Sequence, residues 1–328
     1  MTRKPRLGFA GVGWIGRHRM QALLDAGVAD AAGILDLDGD CLREACALAP
    51  EAIVCASYEE LLVLDLDGVV IATPSAGHAG QSIAALERGL PVFCQKPLGR
   101  SGDEVAGVVE AARKADRLLG VDLSYRHLAG MAQAREIVRS GELGRVYALE
   151  AVFHNAYGPG KPWFYERAQS GGGCVIDLGI HLVDLALWLL GEPAVERVDS
   201  RCFVRGMPLR DRPEAVEDYA TARIDLAGAI VLDVACSWNL PVGADAEIGL
   251  RVYGTGGGLG LRNVDGSFYD FMLERFDGRQ RTVLASPPDA WGGRAAVAWA
   301  ERLRESPRYD AEADGLVSLA RVLDGFYA

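Results

Sequence analysis

Apolar positions along the chain change their period near residue 123, and that change separates two kinds of structure. Before it, short apolar runs without alternation read as buried strands at residues 6–10, 31–35, 53–55, 68–72, 91–94 and 118–122. Stretches 14–26, ended by Gly27, and 76–88, ended by Gly89, read as helices. Strands that alternate with helices imply right-handed βαβ units and a parallel sheet. After it, long strands with two-residue alternation follow closely at 146–154, 197–205, 218–226, 230–238, 248–253 and 268–276. Their length and spacing predict a large, mostly antiparallel open sheet. Helices are expected at 130–139, 174–190, 291–303 and 312–327, with residues 254–260 as a glycine-rich hairpin connection. The expected class is α/β, with one domain over 1–122 and an α+β domain over 123–328.

Length and composition agree with that division. A chain of 328 residues, half of them apolar and about a quarter charged, has the makings of two globular domains. Its net charge of −11 opposes binding to nucleic acid or to an anionic membrane, so neither is expected as a partner. The seven cysteines are odd in number and scattered, without a CxxC pair, which argues against a disulfide framework and a zinc site. No metal is expected. No apolar run reaches the ~18 residues of a membrane span. Arg17, His18 and Arg19 interrupt the N-terminal apolar stretch too early for a secretion signal, so a cytoplasmic protein is expected.

Gly11-Val12-Gly13-Trp14-Ile15-Gly16 is a GxGxxG placed between an expected strand and an expected helix, the context the motif requires. Gly11 permits the tight turn, Gly13 lets the backbone approach a pyrophosphate, and Gly16 lets helix and strand pack closely. The helix start then presents free N–H groups to phosphate. The first domain is accordingly read as a Rossmann dinucleotide-binding domain. Asp36 closes the second strand twenty residues after Gly16, where a carboxylate accepts hydrogen bonds from the adenine ribose. With Asp38 nearby it would repel a 2′-phosphate, which favours NAD over NADP.

Two segments carry candidate chemistry. Cys94-Gln95-Lys96-Pro97 follows the fifth strand, on the carboxyl edge where open α/β sheets bind ligands. The other runs from Gly171 to Asp184. If residues 174–190 are helical, Asp177 and His181 share a face, continued by Asp184 and Trp188. A carboxylate one turn from an imidazole can orient it as a general base. The plainer readings are a surface Lys-Pro turn and a helix-surface pair, and the spacing alone does not choose between them.

Together these segments resemble the glucose–fructose oxidoreductase, inositol dehydrogenase and rhizopine-catabolism family, Gfo/Idh/MocA. The resemblance rests on the GxGxxG, on Ala72-Thr73-Pro74-Ser75 followed by His78, on Gln95-Lys96-Pro97 and on Gly171, Asp177 and His181. It spans nearly the whole chain and implies a Rossmann domain followed by a substrate-binding and oligomerisation domain, with the active site between them. By that resemblance Lys96 is the lysine at both nicotinamide and reacting hydroxyl, His181 the acid/base, and Asp177 its partner and a substrate contact. Gly11, Gly13, Trp14, Ile15, Gly16, Asp36, Thr73, Pro74, His78, Gln95 and Lys96 stand on the cofactor side. The family's turn usually reads Glu-Lys-Pro; here Gln95 replaces the glutamate. Tyr125, Arg126, Asn155, Tyr157, Lys161 and Trp163 are candidate substrate contacts, since aromatic faces beside polar groups suit a sugar or cyclitol ring. The activity implied is an NAD-dependent oxidoreductase acting on a secondary alcohol of a sugar, sugar derivative or cyclitol, as a homodimer or homotetramer. An NAD-dependent glycoside hydrolase using transient oxidation, and a non-catalytic NAD-sensing protein, remain alternatives on the same fold.

Overall fold

The computed structural model describes residues 3–212 and 214–328. They form two compact units: Met1–Ser124 with Gly292–Val317, and Tyr125–Trp291 with Ser318–Ala328.

The first unit holds a six-stranded parallel sheet of β1 (Arg6–Ala10), β2 (Asp30–Leu35), β3 (Ile53–Val54), β4 (Gly68–Ile71), β5 (Val92–Cys94) and β6 (Leu119–Val121). Its strand order, β3-β2-β1-β4-β5-β6, is that of a doubly wound dinucleotide-binding sheet with its switch point between β1 and β4. β4 is buried at every position, as a strand covered on both faces must be, which explains its unbroken apolar run. Around the sheet lie α1 (Trp14–Asp25), α2 (Gly39–Leu48), α3 (Tyr58–Leu62), α4 (Ser75–Glu87) and α5 (Gly102–Ala115). Ser101 caps α5 by accepting from Glu104 N.

The second unit carries α6 (Met131–Arg139), α7 (Arg167–Ser170) and α8 (Ile180–Leu190) with nine strands. These are β7 (Val146–Asn155), β8 (Val195–Val204), β9 (Met207–Pro208), β10 (Tyr219–Leu226), β11 (Ile230–Ser237), β12 (Ala246–Gly254), β13 (Gly258–Asn263), β14 (Phe271–Asp277) and β15 (Gln280–Ala285). They pair in the order β15-β14-β13-β12-β7-β11-β10-β8-β9. Every pairing is antiparallel except β7 with β11. The inner positions of β10 are buried, among them Ala220, Ala222 and Ile224, and α8 packs against β7 and β11. The opposite face carries a charged row, Asp199, Arg223, Asp233, Glu150 and Arg251, one residue from each of five neighbouring strands.

Two further helices close the chain, α9 (Arg294–Glu305) and α10 (Gly315–Asp324). A cut near residue 122 would place α9 in the second domain. Instead its apolar face, Ala295, Ala296, Trp299, Ala300 and Leu303, joins the core around Leu7, Phe9 and Phe93 of the first sheet. Trp299 meets Phe93 with ring centroids 5.6 Å apart. Arg167–Leu190 is long and apolar enough to cross a membrane by length and composition, which corrects the expectation that no run reaches that length. Of its most apolar window, 83% is buried inside the protein, as in a core helix.

Candidate active site

In the first unit, the loop after β1 leads directly into α1. Gly11 has φ +83°, and a Cβ there would lie 2.6 Å from the Ala72 carbonyl and the Thr73 nitrogen. A Cβ on Gly16 would lie 2.0 Å from Gly11 O. Only glycine fits either position, so backbone alone lines the cradle. α1 has no side-chain cap at Gly13 and no acidic residue in its first turn, which leaves its leading N–H groups to an anion. Ile15 is half-buried, and Trp14 is 60% exposed and stacks on His18. Asp36 ends the second strand's loop with Oδ2 accepting from Val12 N at 2.7 Å and Oδ1 from Asp38 N at 3.0 Å. It is thereby tied to the glycine loop. Asp38 turns away to cap α2, accepting from Asp40 N and Cys41 N. A bare, uncapped helix start with a carboxylate one strand away fits a dinucleotide.

Thr73 donates its hydroxyl to Gln81 Oε1 at 2.6 Å, and Pro74 is exposed at the start of α4. His78 is a different case. It is 1% exposed, and its ring nitrogens stand 2.6 Å from the Thr73 and Pro97 carbonyls. Burial pushes its pKa down against the pull of those carbonyls, so the neutral ring donates to one of them at a time. His78, expected on the cofactor side, joins the Thr-Pro loop to the Lys-Pro turn. Gln95 and Lys96 follow β5, half-buried, with Lys96 N donating to Gln95 Oε1 at 2.9 Å.

In the second unit the helix expected over 174–190 is interrupted. Val175–Gly179 is a π-helical turn and α8 begins at Ile180. Such wide turns concentrate at functional positions. The Trp238 indole N–H donates to Asp177 Oδ2 at 3.1 Å. His181 is 9% exposed, with its ring 4.8 Å from that of Tyr125 and 6.4 Å from that of Phe153. Tyr125 in turn packs on Phe271 and Trp291, and burial pushes its phenol well up, which keeps it a neutral wall. Trp238 meets Tyr165 and Phe164, and Phe164 stacks on Trp163 at 3.8 Å. Asn155 ends β7 with a buried Oδ1 that accepts no hydrogen bond from the described residues. Tyr157 packs on Phe268, and Lys161 is exposed.

Arg126, expected as a substrate contact, is engaged within the second unit. It makes a two-pronged ion pair with Asp184, Nε to Oδ2 at 2.9 Å and Nη2 to Oδ1, and lies over Trp188. Asp184 is 2% exposed, and burial raises its pKa despite the guanidinium. The arginine thus anchors α8. Asp184 and Trp188 serve that anchor too.

Sequence reasoning passed over three features. Trp238 reads as the last residue of a strand, and nothing in the spacing ties it to Asp177. Glu217 is wholly buried; its Oε1 accepts from Gly173 N and Val175 N, each at 2.9 Å, and from the Tyr327 hydroxyl at 2.8 Å. It holds the entrance of the π-helical turn. A Cβ on Gly173 would lie 1.9 Å from Glu217 O, which explains that glycine. The third is a buried polar network beneath Lys96. Among the described residues, no group of His, Cys, Asp or Glu is arranged to hold a metal ion.

The first unit and much of the second match family models. Residues 6–123 match the oxidoreductase family with an NAD-binding Rossmann fold, and residues 131–260 match the GFO/IDH/MocA C-terminal domain. D-xylose 1-dehydrogenase (NADP(+)) 2 of Haloferax volcanii is 31% identical over 98% of this chain and 95% of its own. D-glucoside 3-dehydrogenase of Escherichia coli is 35% identical over 44% of this chain and 41% of its own. The chain covers 41%, 61% and 64% of the length of three curated relatives. In fold it is similar to levoglucosan dehydrogenase in complex with NADH and levoglucosan, with TM-score 0.84 and 19% identity over 99% of this chain and 96% of that one. The chain belongs to the Gfo/Idh/MocA oxidoreductase family.

Proposed function

We propose that this protein is an NAD-dependent dehydrogenase or reductase acting on a secondary alcohol of a sugar, sugar derivative or cyclitol. The observation that carries the reading is the Asp177–His181 segment, buried beside the rings of Trp238, Tyr165 and Phe164. Flat aromatic faces next to a carboxylate and an imidazole suit a polyhydroxylated ring. Relatives named for glucoside and xylose substrates support the class.

Gly11, Gly13, Trp14, Ile15 and Gly16 would hold the pyrophosphate and Asp36 the adenine ribose, with Thr73 and Pro74 toward the nicotinamide end. The bound nicotinamide supplies the hydride acceptor. With the cofactor bound, His181 would take the proton of the substrate hydroxyl, and Lys96 would stabilise negative charge developing on its oxygen. Asp177, held by Trp238, orients the imidazole or a neighbouring hydroxyl, and Asn155 Oδ1 accepts from another.

The experiment is an absorbance screen at the nicotinamide band across sugars, sugar acids, inositols and nucleotide sugars. Reduction of NAD by at least one of them is expected. Turnover of an aryl glycoside at constant NAD, with no net NADH from any free sugar, would replace this reading with a hydrolase. We further propose a homo-oligomer built on the charged outer face of the nine-stranded sheet, to be checked by light scattering; a monomer at micromolar concentration counts against it.

A further inference from the structure

Beneath the Lys96 main chain lies an unbroken run of hydrogen bonds within the first unit. Lys96 N donates to Gln95 Oε1 at 2.9 Å, and Gln95 Nε2 donates to Asp122 Oδ2 at 2.8 Å. The same Oδ2 accepts from Arg19 Nε at 2.5 Å, while Asp122 Oδ1 accepts from the Ser124 hydroxyl. Arg19 Nη2 donates to Ser124 Oγ at 3.1 Å, and its Nη1 reaches His18 Nδ1 at 3.0 Å. Asp122 is 1% exposed and Arg19 7%. The run therefore joins α1, which opens at the glycine loop, to the residue next to the turn lysine.

Position 95 needs an acceptor at one end and a donor at the other. An amide has both; a carboxylate has only acceptors. A glutamate here would set its oxygen against Asp122 Oδ2 at hydrogen-bond distance, two carboxylates for one arginine, and would have to hold a proton to stay. We propose that Gln95 is a positioning residue: its neutral amide locks the Lys96 main chain to the buried Arg19–Asp122 pair, and does so independently of pH. The significance for catalysis rests on the role proposed above for Lys96; the lock itself does not.

The groups facing it are Arg19 and His18 from α1, Cys94 from β5, Lys96 itself and, toward Lys96, His78 from α4. Cys94 is pushed up to about 12 by burial and stays a thiol. His18 is lowered by burial and by Arg19, against the pull of Asp122. The Gln95 amide itself carries no titratable proton near neutrality.

The test compares Gln95→Glu, Asp122→Asn and the double variant Gln95→Glu/Asp122→Asn, which restores one amide and one carboxylate beside Arg19. The first readout needs no substrate: the thermal midpoint of the protein alone from pH 5 to pH 8.5. A carboxyl with a raised native pKa favours the native state at low pH and loses that advantage as pH climbs. The midpoint of Gln95→Glu should therefore fall away from wild type with rising pH, and the double variant should run parallel to wild type. The second readout is the pH profile of kcat on the substrate found by the screen. Gln95→Glu should lose about tenfold at pH 8.5 while regaining most of it at pH 5.5, with KM for NAD nearly unchanged. Thermal curves of Gln95→Glu and wild type that coincide at every pH overturn the lock, as does a double variant no better than the single. If Gln95→Glu does not fold at all, folding of the double variant supports the lock and its failure overturns it. Should no alcohol be turned over, the functional reading falls and the thermal comparison still decides the lock.

Discussion

Asp177 Oδ2 accepts a hydrogen bond from the Trp238 indole at 3.1 Å, joining the π-helical turn to the end of β11. The bond crosses 61 residues of sequence and fixes the carboxylate one turn before His181. Trp238→Phe keeps the buried ring and removes only the donor. A hydrogen bond to a carboxylate is worth ~1.5–3 kcal/mol, so the thermal midpoint should drop by a few degrees and kcat/KM should fall by about tenfold. Steady-state kinetics beside a melting curve checks this; unchanged kcat/KM would show that Asp177 needs no such support.

Lys96 and His181 should behave as one catalytic unit. Lys96→Met and His181→Asn should each slow turnover by roughly 10²–10⁴ while leaving the NAD dissociation constant close to wild type. The double variant should be little worse than the worse single, since groups acting together are non-additive. Oxidation requires the neutral imidazole, so activity should fall toward acid pH in wild type, and His181→Asn should lack that limb. Near wild-type turnover in His181→Asn would refute the assignment and make Asp177 the next candidate base.

Asp36 should set cofactor preference. NAD should bind more tightly than NADP, because in the proposed placement the carboxylate would face the adenine ribose and repel a 2′-phosphate. Asp36→Ala should narrow the ratio of the two dissociation constants by about tenfold, the repulsion of a like-charge pair being worth several kcal/mol. It should also weaken NAD itself, because the carboxylate braces Val12 in the glycine loop. Fluorescence titration with both nucleotides decides. Tighter NADP binding by wild type would overturn the preference, and the H. volcanii relative is named for NADP.

Glu217 should make stability depend on pH. Burial raises its pKa, outweighing three hydrogen bonds that favour the carboxylate. A carboxyl raised in the native state binds its proton more tightly there than when unfolded. Its contribution is therefore full below the unfolded value, about 4.3, and is lost as pH rises through the native one. Glu217→Gln keeps an acceptor for Gly173, Val175 and Tyr327 but does not ionise. The difference in thermal midpoint, Glu217→Gln minus wild type, should become more positive from pH 4 to pH 8. A constant difference would mean that Glu217 does not change charge on folding in that range.

Much of this arrangement is written locally in the sequence. The strand, glycine loop and helix around Gly11 follow from nearest-neighbour sterics, since positive φ and a 2.0 Å approach admit glycine alone. Lys96 at a strand's carboxyl end and Asp177 four residues before His181 are likewise local facts, as are the two regimes of hydrophobic period. What the period could not show is which surface each apolar stripe covers. The stripe on α9 is plain in the sequence, yet only packing sends it back to the first sheet beside Phe93. β13 escapes the strand pattern because Gly258 and Gly260 give it the look of a turn; it is held by pairing, with the Phe276 ring lying where a Cβ on Gly260 would stand. β15 is an exposed edge strand whose apolar residues are confined to Val283, Leu284 and Ala285, too short a run to stand out. The partners of charged and polar side chains were also decided in three dimensions. Arg126 went to Asp184, 58 residues away, and Gln95 to Asp122, 27 residues away. A buried polar group must find a partner wherever the fold supplies one, and hydrophobic period carries no information about which.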